Sequence, residues 1–248
     1  MNEKIENKKE KSTEVYRELL TGIKDLSAKG TEAEITKNIN GLVEAIISAL
    51  SGGDVKTALM LDASRSYDKE DYIFTHSLNV CLVAVVIGIK KKFDKRQLKD
   101  LALLGLVHAK DHINVPQNLL EWAAPDNEMD EIVKISDIYD AMTHPPSYRH
   151  EMTSADTIAS IMDACDLFDS PLVKPLLNEL GFYPEGSWVA LNTREIGKVI
   201  AVNKDTPLRP VVELITGRQG TLDLSKNMLV YIEKGLTEDE VKALRKKA

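Results

Sequence analysis

The chain has 248 residues, enough to bury a substantial core, and its 43% hydrophobic and 29% charged residues are the balance of a folded protein. A net charge of -7 excludes a general field for nucleic acid or an anionic membrane, so neither is an expected partner. Any phosphate recognition must come from a local group of Lys and Arg.

The first residues, "MNEKIENKKEKSTE", are charged and lack the apolar centre of a signal peptide. From Thr13 to Gly30, Val15, Leu19, Ile23 and Leu26 recur at helical spacing. Thr31 and Glu34 then form a capping box for a second helix, whose stripe is Ile35, Ile39, Leu42, Ile46 and Leu50. Residues 1–54 read as an N-terminal helical segment. Its stripes, Leu19, Ile23, Leu42 and Ile46 among them, could serve a homodimer contact, but packing on the chain's own bundle is the expected use.

Residues 55–181 read as a helical bundle, with helices over 55–65, 71–92, 95–109, 129–142 and 154–180, the last broken near Pro171 and Pro175. Cys81 and Cys165 sit among apolar residues and read as buried thiols of a reducing compartment. The longest apolar run, "VCLVAVVIGI", is far shorter than the ~20 residues of a membrane span, so a cytoplasmic location is expected. After Gly181 the pattern changes. "SWVAL", "KVIAV", "PVVEL" and "MLVYI" are short and β-branched, which predicts a small antiparallel sheet, and "TEDEVKALRKKA" predicts a capped helix after it. The fold class is therefore mainly α, with residues 182–248 as a small C-terminal β part.

Polar residues on apolar faces are where chemistry would sit. Leu98, Leu101, Gly105 and His108 share one face, and His76 lies in line with Ile73, Val80, Val83 and Ile87. Two inward histidines suit a metal held between facing helices; a lone one is more often a hydrogen-bonded core residue. In "IVKISDIYDAM", Asp137, Asp140 and His144 share a face at i, i+3 and i+7, a pattern that also fits a solvated acidic surface.

Four blocks in order, "DYIFTHSLNVCLVAVVIGI", "LALLGLVHAKDHINVP", "VKISDIYDAMTHPPSYR" and the long stretch from "LVKPLLNELGFYPEGSW" to "PLRPVVEL", resemble the HD-GYP proteins of the bacterial HD phosphohydrolase superfamily. The resemblance spans about residues 55 to 215. It implies a helical HD bundle, and active members hydrolyse cyclic di-GMP at two or three metal ions, usually iron or manganese. By this resemblance His76, His108 and Asp137 stand at ligand positions. The bridging aspartate of the "HD" pair is instead Ala109, the glycine and lysine that follow are Asp111 and His112, and a frequent glutamate ligand is Tyr72. Residues 117–131, "QNLLEWAAPDNEMDE", lack the family's further histidines and its "GYP" motif.

A two-ion site needs roughly six or more ligands, and three aligned ones remain. The expectation is a catalytically degenerate member with a binding or regulatory role in cyclic di-GMP-type signalling, and no cofactor. Its partner would be a cyclic dinucleotide or a signalling protein. If a metal is held, it is divalent iron or manganese on His76, His108 and Asp137. Asp111 and His112 would be substitutes should the helix run on; otherwise Asp111 ends it and His112 is exposed. Two alternatives are an active metal-dependent phosphodiesterase with a reduced site, and a non-catalytic nucleotide sensor. In the sensor Arg149, Lys110 or Arg65 would contact phosphate, unless they are ordinary surface charges.

Overall fold

Helix ends are set by local chemistry. Thr31 Oγ1 accepts from the Glu34 N–H, and the Glu34 carboxylate accepts from the Thr31 N–H at 2.9 Å. This box starts α2 (Glu32–Ser51), which follows the long α1 (Asn2–Leu26). After α3 (Thr57–Ser64) and α4 (Tyr72–Lys90), the Asp94 carboxylate accepts from the N–H groups of Arg96 and Gln97 to open α5 (Lys95–Val107). The helical part continues with α6 (Asn127–Thr143), α7 (Ser154–Asp163) and α8 (Ser170–Leu180), which carries Pro175 inside it. The computed structural model describes residues 2–26, 31–52, 56–64, 71–108, 127–145, 150–163, 170–203, 205–217 and 220–245. The protein is mainly helical with one C-terminal antiparallel sheet, as the periodicities predict.

Helix α4 organises the bundle because every residue from Ser77 to Gly88 is buried, most of them apolar. One face joins Leu78, Cys81, Leu82 and Val85 to Tyr16, Leu20 and Ile23 of α1, Ile39 and Ile46 of α2, and Leu103 and Leu106 of α5. The opposite face joins Val83, Ala84 and Ile87 to Ile132, Ile135 and Tyr139 of α6, Ile158 of α7 and Leu176 of α8. The segment 1–54 thus shares a core with the bundle, and Leu19, Ile23, Leu42 and Ile46 are all buried against their own chain. Burial also pushes the Cys81 thiol far up its range; Cys165 lies outside the described residues.

One helix is long and apolar enough to span a membrane, contrary to the expectation from the longest apolar run. Counting only uninterrupted residues understates α4, whose 18-residue window has a mean hydropathy of 2.0. Within the fold 72% of that window is buried by neighbouring helices, which is how a core helix differs from a lipid-facing one.

Helices α4 and α5 touch closely at one point. A Cβ built on Gly105 would lie 2.7 Å from Cys81 Cα, so only glycine lets the backbones meet there.

The sheet has order β4-β3-β2-β1-β5, from β1 (Trp188–Leu191), β2 (Ile196–Ala201), β3 (Val211–Leu214), β4 (Gly220–Asp223) and β5 (Ile232–Leu236), with neighbouring strands antiparallel. Val189, Leu191, Val199, Val212 and Leu224 form its core. Helix α9 (Glu238–Arg245) follows, capped by Thr237 and Glu240. Two strands depart from the sequence pattern: β4 was not anticipated, and the last strand is "IEKGL" rather than "MLVYI". The Arg209 guanidinium donates to the carbonyls of Leu224, Asn227 and Val230, and the Asn192 amide pairs with Leu229 O and Tyr231 N. Those bonds engage the backbone of 224–231 outside the ladder, leaving Met228 and Leu229 72% and 85% exposed.

Bundle and sheet are joined by an ion pair between Lys56, at the start of α3, and buried Glu185. Gly235 of β5 also lies against Thr153, where a Cβ would meet Oγ1 at 2.9 Å. We predict that Gly105→Ala destabilises the protein by about 1–3 kcal/mol, read as a lower urea midpoint, because the new methyl meets backbone that cannot move aside. An unchanged midpoint would show that α4 and α5 are not held at this contact.

Candidate metal centre

Three elements deliver three side chains to one point. His76 comes from the first turns of α4, His108 from the C-terminal cap of α5, and Asp137 from the middle of α6. Each histidine has its Nδ1 occupied. His108 Nδ1–H donates to the Gly105 carbonyl at 2.7 Å, and His76 Nδ1–H donates to Asp140 Oδ2 at 2.8 Å. Both rings therefore turn Nε2 toward each other, 3.1 Å apart. Asp137 Oδ1 stands 3.1 Å from His76 Nε2 and 4.0 Å from His108 Nε2.

These separations suit one ion. Two ligand atoms each about 2.1 Å from a metal, at right-angled to tetrahedral geometry, stand roughly 3.0–3.4 Å apart. Two of the three pairs fall in that range, and all three atoms lie within 4.8 Å of one another. Half-exposed Asp137 can close the third by a small rotation of its carboxylate. Imidazole and carboxylate donors fit iron, manganese or zinc. Among the described residues this is the one such cluster, and its three donors suit one ion. The Tyr72 ring, at the position where the resemblance expects a carboxylate ligand, stacks on His76 with centroids 5.5 Å apart. It supplies a wall in place of a ligand.

Behind His76 lies a buried polar network. Asp140 is only 1% exposed, and its Oδ1 accepts from Asn79 Nδ2 at 2.8 Å and lies 2.9 Å from His144 Nδ1. The Tyr16 hydroxyl donates to Asn79 Oδ1 at 2.9 Å, and Asn79 Nδ2 also reaches Ser64 Oγ at 3.2 Å. His144 Nε2–H donates to the Leu61 carbonyl at 3.1 Å. A carboxylate bonded to the far nitrogen of a ligand histidine fixes its tautomer and raises its basicity, which is the usual support of a metal-bound imidazole.

The electrostatics follow from this geometry. Burial pulls His76 down, but its bonds to Asp137 and Asp140 outweigh that and hold it up at about 9. His108 moves the other way, lowered by burial and further by the charge of His76. Asp137 is lowered mainly by its bond to His76. Burial opposes ionisation of Asp140, yet His144 and His76 together keep it below its ordinary value. Without a metal, one proton sits on His76 where an ion would sit.

His76, His108 and Asp137, the three positions that the resemblance marks as ligands, are brought together. The other sequence candidates, Lys110, Asp111, His112, Arg149 and Arg65, together with Ala109, lie outside the described residues. Sequence reasoning put Asp140 on the right face but gave it no part, and it passed over Asn79. Asn79 follows His76 by three residues in an otherwise apolar run, and a polar residue placed there needs a buried partner.

Against known protein families, residues 188–244 match a model described as a KOW domain associated with HD domain. No curated protein and no solved structure matches the chain significantly. The match covers the sheet and most of α9, and it associates the chain with HD-domain proteins. It does not reach the helices that carry the histidines.

Two outcomes follow. In chelator-treated protein the stabilisation from His76, whose folded value is raised, is complete below pH 6.5 and is lost as pH rises through about 9. Urea midpoints should fall across that window, and His76→Gln should flatten the fall. Asp140→Ala should cost about 3–5 kcal/mol because it leaves buried partners unpaired, and should weaken metal binding roughly ten- to a hundredfold in any variant that stays folded. Unchanged metal affinity would separate Asp140 from the site.

Proposed function

We propose that this chain is a catalytically degenerate HD-like protein with a binding or regulatory role, whose bundle keeps one metal point instead of a multi-ion centre. The observation that carries this reading is the convergence of His76, His108 and Asp137, followed directly by Ala109 where the resemblance calls for a bridging carboxylate. A methyl group cannot ligate, and a second ion would lack its shared donor.

The chemical consequence is large. A phosphodiester resists hydrolysis because its own charge repels a nucleophile, and paired divalent ions answer this by neutralising that charge and stabilising both the attacking and leaving oxygens. A single divalent iron or manganese ion would polarise one phosphoryl oxygen or one water when bound. Within this chain, His76 and His108 offer Nε2, Asp140 orients His76, Tyr72 stacks on the His76 ring, and Asp137 is the half-exposed donor. These residues bind and orient. The nucleotide signal suggested by the resemblance is cyclic di-GMP, and the regulatory role is proposed for that class of ligand.

A second reading, a reduced but active metal-dependent phosphohydrolase, is favoured by one feature: the Asp140–His76 support of the ligand histidine is intact. An activity assay separates the two, and metal analysis bounds the number of ions in both. The leading reading expects at most one equivalent of iron or manganese in the purified protein and no hydrolysis of cyclic di-GMP with either metal added. Turnover abolished by His108→Ala would overturn it in favour of the second.

A further inference from the structure

A cleft open to solvent lies between the helical bundle and the sheet, and none of the three candidate ligands lines it. One wall comes from α3, α6 and the start of α7. The other comes from residues 182–187, β1, β5 and the first turn of α9. Tyr139, Phe182, Tyr183 and Trp188 line it with aromatic rings, and Glu151, Glu185 and Glu238 line it with carboxylates. No Lys or Arg is among the described residues of the lining.

The carboxylates differ in how their charge is met. Glu185 is 7% exposed and is paired with Lys56, so its charge is answered within the fold. Glu238 accepts a hydrogen bond from Trp188 Nε1 at 2.8 Å, a neutral donor, and no described cation pairs with it. His144 also borders the cleft, but both its nitrogens face oxygens of its own chain, at Leu61 and at Asp140 and Thr143. It presents a ring and no free donor.

A partly buried carboxylate with no described cation partner, in a concave site lined by four aromatic rings, is the chemistry that selects an organic cation. The rings attract a positive charge through their negative faces, and the carboxylate adds a charge-assisted hydrogen bond. The Trp188 ring already has this property: Lys198, its cross-strand neighbour, places Nζ 5.2 Å from the ring centroid and does not line the cleft. Ala58, Leu61 and Leu180 supply an apolar floor for a short hydrocarbon stem.

We propose that this cleft binds a small organic cation, an ammonium or guanidinium head on a short apolar stem, with Glu238 and Trp188 as its recognition pair. The proposal is independent of whether the histidine site holds metal. It is tested on the full chain by calorimetry with butylguanidinium, and with butyramide as the neutral analogue of similar length.

Saturable binding of the cation and not of butyramide is expected. Glu238→Gln retains an acceptor for Trp188 Nε1 but removes the charge, and should weaken binding roughly tenfold or more. Phe182→Leu, which keeps the apolar volume without the ring, should weaken it by a smaller factor. The proposal is overturned by an absence of saturable binding up to about 10 mM cation. Equal affinity for butyramide, or unchanged affinity in Glu238→Gln, overturns it as well.

Discussion

An ionised carboxylate buried in the middle of the bundle is the constraint around which this fold is arranged. Asp140 is almost wholly removed from water, and a charge in that position is tolerated only when every oxygen is answered. His76 answers one oxygen, and Asn79 and His144 answer the other. Through Asn79 the same network reaches Tyr16 on α1 and Ser64 on α3, so four helices are registered against one charge. The position of His76 Nε2, and with it the candidate metal point, is set by that registration.

The second constraint is steric. His76 and His108 meet only because α4 and α5 come into backbone contact at Cys81 and Gly105. The carbonyl of the same glycine holds His108 Nδ1. One residue without a side chain therefore sets both the distance between the helices and the orientation of a ligand. Apolar packing on the two faces of α4 supplies most of the driving force, and the polar network selects which arrangement of those faces is adopted.

Much of this was legible from residue order. Helical spacing and the Thr31–Glu34 box located α2, and His76 and His108 could be placed inward because they continue apolar stripes. Periodicity places a residue on a face but does not say whether that face meets water or another helix. For that reason the face of Asp140 also fits an acidic surface, whereas the stripes of the first two helices pack on their own bundle, as expected of them. The exchange of "MLVYI" for "IEKGL" as the last strand has a similar origin. β-propensity favours the first run, but the bonds from Arg209 and Asn192 engage its backbone elsewhere, and such distant partners are not visible in local sequence.

The C-terminal match and the helical site meet in one account: a sheet that matches a KOW domain associated with HD domains, joined to a bundle in which two histidines and an aspartate meet. On the proposed reading the site is defined by subtraction, with Ala109 and Tyr72 at positions where the resemblance expects ligands and a supported histidine pair beside them. X-ray absorption on manganese-loaded protein tests that most directly. The account predicts a single manganese environment with scattering from two imidazoles and no metal–metal vector. A second metal at about 3.5–4 Å, the spacing of two-ion hydrolases, would contradict it.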